Sequence, residues 1–213
     1  MATRTLAPCS LLLAPWHRVR AAAAAMLLVV VGCGGPRTTA AEEIRDWAAG
    51  PARWLLQPEE RRLVDRVRTR AQLVELRTVF WSRRDPAGRA TGPGSVQELF
   101  DERVRAADTL YGGGELRGSL TDRGRALVVL GAPLKIERRL REVVAWEPGL
   151  KPGERLRRRV PSEVWIYERD NLLPAQRPLA PVRVVFMLEA DGARLTRGER
   201  ALAAAAAALV LGE

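Results

Sequence analysis

The chain's one histidine is His17 and its two cysteines are Cys9 and Cys33. Imidazole and thiol chemistry, whether as general base, nucleophile or metal ligand, is therefore confined to the first 33 residues. Beyond them the reactive side chains are carboxylates, hydroxyls and many arginines. Two carboxylates suffice for glycoside hydrolysis, and Asp122, Glu137, Glu142 and Glu163 lie near predicted strand ends. Their spacing defines no pair at a catalytic separation, and nearby arginines make surface ion pairs the plainer expectation. Ser82, Ser95, Ser119 and Ser162 stand outside any Gly-x-Ser-x-Gly context. Gly112, Gly113 and Gly114, with Gly118 behind them, offer the glycines of a phosphate cradle. No strand precedes them and no Lys-Ser or Lys-Thr follows, so they read as a helix stop. No catalytic residue, metal or cofactor is expected.

The elements that position these groups must come from one domain. The 213 residues carry 35 basic and 25 acidic side chains and are 47% hydrophobic, which excludes a disordered polyelectrolyte and a small disulfide scaffold. Only Lys135 and Lys151 are lysines. Arg138, Arg139 and Arg141 form one arginine cluster, and Arg155, Arg157, Arg158 and Arg159 a second; either can contact phosphates or anionic polysaccharide, or lie on a solvated face.

Arg4, Arg18 and Arg20 are the only charges among the first 32 residues, and they precede the 11-residue apolar run Ala21 to Val31. At 1.5 Å per residue that run spans about 16 Å, roughly half a bilayer core, so it reads as a secretory signal and not a span. Val30-Val31-Gly32-Cys33 resembles the lipobox of bacterial lipoproteins, which implies that Cys33 is lipidated and becomes the new N-terminus. The alternative is a general export signal that leaves Cys33 a free thiol. Gly34, standing where an aspartate would imply inner-membrane retention, implies an outer-membrane address facing the periplasm. Loss of residues 1–32 leaves 32 basic and 25 acidic residues, a net of about +7.

The expected organisation is a signal over 1–32, a tether over 33–53, a domain over 54–196 and an Ala-rich C-terminal helix over 197–213. Pro58 with Glu59 and Glu60 starts a helical stretch that runs, as two helices or one broken one, to Asp85-Pro86. Ser95 with Glu98 reads as a capping box opening a helix to Tyr111. Ala126 to Leu130, aliphatic and bounded by Gly124 and Gly131, reads as a buried strand. Further strands are expected at 141–146, 163–167 and 182–189, with Asp191-Gly192 turning into a return strand at 193–195. Thr196 and Glu199 form a second candidate capping box. No crossover helices separate the strands. The class is α+β, with N-terminal helices packed on a small, mainly antiparallel sheet.

Four motifs in order carry a family resemblance: Phe80-Trp81-Ser82-Arg83-Arg84-Asp85-Pro86, Gly118-Ser119-Leu120-Thr121-Asp122-Arg123-Gly124-Arg125, Val129-Leu130-Gly131-Ala132-Pro133 and Glu163-Val164-Trp165-Ile166-Tyr167. They resemble, respectively, the FWxxRDP, GWxTDRGR, YGxP and ExWxY elements of the bacterial GWxTD domain, over residues 54 to 188. Ser119 stands where that family has its tryptophan, so the indole's role is absent or falls to another aromatic such as Trp146. The resemblance implies an exported envelope protein and names no reaction. On the residues themselves, Trp81 buries an apolar face, and Arg83 or Arg84 pairs with Asp85 or Asp122. Thr121 and Asp122 accept backbone N–H bonds in a tight turn that launches the central strand, with Gly124 free to take positive φ. The functional alternative sets Asp122, Arg123 and Arg125 at a groove for a polar or anionic partner. The expected role is a non-catalytic envelope lipoprotein, an interaction or scaffold module bound to the membrane by its lipid and meeting an envelope protein or anionic glycan. A carboxylate-dependent hydrolase of envelope polysaccharide is the alternative, and the export signal argues against nucleic acid.

Overall fold

The computed structural model describes residues 39–85, 92–113, 115–145, 155–189 and 192–210. The expected signal, Cys33, Trp146 and Asp191 lie outside them. Helix α1 (Ala40–Ala49) begins at Thr39, whose hydroxyl accepts the Glu42 N–H while Glu42 takes the Thr39 N–H in return. A 3-10 turn, Pro51–Trp54, follows Gly50. Ile44 and Ala52 are buried, so from Ala40 onward the stretch expected as tether belongs to the core. The next stretch is two helices, α2 (Pro58–Val64) and α3 (Arg70–Ser82), each with its own reciprocal cap. In α4 (Val96–Tyr111), Ser95 accepts the Glu98 N–H as expected. Glu98 reaches back to Gly94 and leaves the box at Ser95 unclosed.

The expected strand at 126–130 is instead the end of a helix, α5 (Asp122–Leu130), capped by the Thr121 hydroxyl on the Gly124 N–H. All five residues from Ala126 to Leu130 are buried, because α5 lies between α4, the 51–54 turn and the sheet. Over these five residues the helix is covered on every side and shows no polar face, and so short an apolar run is indistinguishable by periodicity from a buried strand. Tertiary donors take several carbonyls at and just beyond its C-terminus. Arg103 of α4 donates to Val128 and Val129, Gln176 to Val129, Tyr167 to Gly131 and Asn171 to Ala132. Gly131 ends the helix at φ 86°, a conformation that favours glycine.

Four strands, β1 (Lys135–Ala145), β2 (Leu156–Tyr167), β3 (Val182–Glu189) and β4 (Gly192–Arg197), form a sheet in the order β1-β2-β3-β4, antiparallel throughout. The fold is α+β. Register sets Glu163 opposite Phe186, Trp165 opposite Val184 and Tyr167 opposite Val182, and all six are buried on the helix-covered face. The last helix, α6 (Glu199–Ala208), has no Thr196 cap: Gly198 is its N-cap residue. Thr196 is part of β4, where its hydroxyl donates to the Val185 carbonyl. Leu202, Ala205 and Ala206 bury the inner face of α6, and Gln176 ties it to α5 by donating to Ala205. Two aromatic chains run through the core. One links Trp47, Phe80, Trp81 and Phe100, the other Tyr111, Trp165 and Phe186, with neighbouring centroids 4.8 to 5.8 Å apart.

Candidate functional site

The segment from Gly118 to Arg125 is where helices, sheet and the 51–54 turn meet. Both of its glycines are required by close approach. A Cβ on Gly118 would lie 2.5 Å from the Gly112 nitrogen and 2.8 Å from the Ala107 carbonyl carbon. One on Gly124 would press on the Gly118 carbonyl, 2.7 Å from its carbon and 2.9 Å from the Ser119 Cα. Gly124 sits in the first turn of α5 and does not take the positive φ expected of it. The Ser119 N–H donates to Asp108 at 2.7 Å, and the Thr121 hydroxyl donates to the Gly118 carbonyl at 2.7 Å. Asp108 titrates below its ordinary range: burial acts to raise it, and the hydrogen bonds from Ser119 and Arg117 outweigh that.

From this base three charged side chains of α5 diverge. Asp122 accepts the Leu195 N–H of β4 at 2.6 Å, a link across 73 residues where a local turn bond was expected. Arg123 lies 4.8 Å from the Tyr111 ring centroid and 3.6 Å from Glu163, which also accepts from the Trp165 indole. Arg125 forks onto Glu199 with contacts of 2.8 and 2.7 Å. The structure thus separates the three residues expected to share one groove.

Arg125 opens onto a cleft of about 610 Å³. Trp54 forms one wall, its indole N–H donating to the Ser119 carbonyl at 2.9 Å. The indole that touches Ser119 is therefore Trp54. Two guanidiniums lie over its ring, Arg53 at 3.9 Å and Arg125 at 4.9 Å from the centroid. Arg61 adds a third positive charge, with Asp65 and Glu199 opposing. The Nε–H groups of Arg53 and Arg125 are buried and donate to no acceptor among the described residues. Asp122 lines a separate hollow of about 640 Å³ that shares Glu199 with the cleft. Arg53, Trp54 and Arg61 belong to no motif, and Glu199 stands in the sequence only as a candidate cap partner of Thr196; the one local signal is an Arg-Trp pair just after Gly50-Pro51.

The other candidate residues serve packing. Trp81 is 3% exposed within the first aromatic chain. Arg84 is buried against Glu60, not Asp85 or Asp122, with contacts of 2.6 and 2.8 Å, and also donates to the Phe80 and Leu55 carbonyls. Arg83 reaches Glu60 at 3.5 Å. Asp85 accepts the Val96 N–H at the start of α4. The candidate hydrolytic carboxylates all have partners: Asp122 as above, Glu137 with Lys135 and Arg139, Glu142 with Arg157, and Glu163 with Arg123 and Arg138.

Among the described residues no group of three or more His, Cys, Asp or Glu is placed to hold a metal ion, and no helix is long and apolar enough to cross a membrane. What the fold and site define is an α+β domain with a cationic, tryptophan-walled cleft. No protein-family model matches the chain, and comparison with curated proteins and with solved structures finds no match to it.

Proposed function

We propose that this chain is a non-catalytic lipoprotein of the bacterial cell envelope, held by lipid on Cys33, whose domain binds an anionic group of an envelope protein or glycan. The observation that carries the binding role is the cleft. Arg53, Arg61 and Arg125 line it, the first and last over one indole, with only Asp65 and Glu199 opposing, an excess of positive charge that suits a carboxylate or phosphate group. The lipobox-like sequence ending at Cys33 supports the anchor, the GWxTD-like motifs support the envelope address, and Gly34 after Cys33 supports an outer-membrane, periplasm-facing position.

Two measurements on the full chain in its host test this. Labelling with an alkyne fatty acid should tag the wild type and leave Cys33→Ala untagged. In-cell crosslinking followed by mass spectrometry should yield a partner that Arg53→Gln/Arg125→Gln loses while the variant keeps its circular dichroism spectrum. Equal labelling of the Cys33→Ala variant removes the anchor, and an unchanged crosslinking pattern removes the cleft.

A further inference from the structure

The two arginine clusters of the sequence come together on one ribbon. β2 pairs with β1 along its whole length but with β3 only over residues 162–167. Residues 156–161, with their β1 partners, therefore continue as a two-stranded arm, which at 3.3 Å per residue extends about 20 Å beyond the last β3 pairing. Pairing Arg141 with Val160, Glu142 with Arg159 and Val144 with Arg157 sets Arg138, Arg157 and Arg159 on one face and Arg139, Arg141 and Arg158 on the other. Every residue of 138–144 except half-buried Val143 is exposed, as is every residue of 155–159. Glu142 pairs with Arg157, and Glu163 with Arg138. Arg141, Arg155, Arg158 and Arg159 have no ion pair among the described residues.

Charge alone suits any polyanion; the aliphatic residues discriminate. Leu140 and Val144 are 67% and 59% exposed on the same face as Arg138, Arg157 and Arg159. A polysaccharide or nucleic-acid backbone, hydroxylated or charged along its length, offers such aliphatic side chains little apolar surface. The headgroup boundary of a bilayer takes both aliphatic groups and arginines, and anionic lipid attracts each basic residue. We propose that the β1–β2 arm binds the surface of an anionic phospholipid bilayer, its guanidiniums on lipid phosphates and Leu140 and Val144 in the boundary beneath. This stands on the arm alone and holds whether or not Cys33 is lipidated or the cleft binds a partner.

The test uses the full chain with Cys9→Ser, Cys33→Ser and Leu140→Cys, carrying an environment-sensitive fluorophore at position 140. The dye reports on the arm itself, whatever the N-terminal apolar run does. It is mixed with vesicles of phosphatidylcholine, or of phosphatidylcholine and phosphatidylglycerol in equal parts. A blue shift with the anionic vesicles alone, reversed by high salt, is the expected result. Arg138→Gln/Arg157→Gln/Arg159→Gln, all on the Leu140 and Val144 face, should weaken the anionic-vesicle response roughly a hundredfold. The same triple change at exposed Arg62, Arg66 and Arg77 should weaken it far less. Equal shifts with both vesicles, or equal losses in the two triple variants, would overturn the proposal. So would a shift produced by soluble dextran sulfate without vesicles, which would assign the arm to a polyanion instead. If the arm triple variant fails to fold, the lipid and salt dependence of the labelled chain still decides.

Discussion

Replacing Gly124 by alanine tests the claim that the Gly118-to-Arg125 segment is built on backbone contact. Glycine to alanine inside a helix ordinarily stabilises by about 1 kcal/mol through helix propensity, an upper bound for Gly124 in the first turn of α5. Here the new Cβ would stand 2.7 Å from the Gly118 carbonyl carbon and 2.9 Å from the Ser119 Cα, where ordinary contact begins near 3.4 Å. Both obstacles are backbone. Relief requires α5 to move away by at least several tenths of an ångström, which pulls on the Thr121 cap and on the Ser119–Asp108 bond. Overpacking of this kind costs about 3 kcal/mol, which leaves a net loss of about 2 kcal/mol after the propensity gain. At this chain length that lowers the melting temperature by roughly 4 to 8 °C. The control is Gly113→Ala, where nothing lies within 4 Å of the new atom. Thermal unfolding followed by circular dichroism measures both. If the two variants melt together, the close-approach argument is wrong.

Further predictions follow from the same contacts. Glu60→Ala strands the buried Arg84 charge and should cost about 3 to 5 kcal/mol by urea denaturation, and adding Arg84→Met should restore part of it; a double variant no better than the single would refute the pairing. Asp122→Ala leaves the Leu195 N–H without its acceptor and should cost about 1 to 3 kcal/mol, whereas unchanged stability with a lost crosslinking partner would make Asp122 a binding residue. Asp108 titrates below its ordinary 3.8 in the folded protein, so its contribution is present above that pH and is lost as the pH falls further through the folded value. Acid unfolding of Asp108→Asn should accordingly show a shallower pH dependence in this window than the wild type, and parallel curves would exclude the linkage.

Helix α5, whose second half has the composition of a strand, shows how much lies in the local sequence. Thr121 as cap, Asp122 in the first turn, Gly131 as stop and Pro133 beyond it spell a helix, and all four are legible without the structure. Against them stands Ala126 to Leu130, apolar at every position because this part of the helix is covered on all sides, a property of its neighbours and not of its own residues. The arginine clusters were visible too, but as two separate runs; only the antiparallel register makes them one arm.

By itself the amino-acid sequence determined the elements whose signals are local. These are the cap at Ser95, the helix start at Pro58, the two-residue alternation of Val182 to Leu188, the α+β class, and the confinement of imidazole and thiol to the first 33 residues. Tertiary structure alone decided which charges meet: Arg84 with Glu60 across 24 residues, Asp122 with Leu195 across 73, and Arg125 with Trp54 and Glu199. Backbone capping and periodicity act over one or two turns of chain and leave a mark in nearby residues. A guanidinium, in contrast, takes whichever carboxylate or ring the packing of distant helices delivers, and nothing in its own neighbourhood along the chain records that choice.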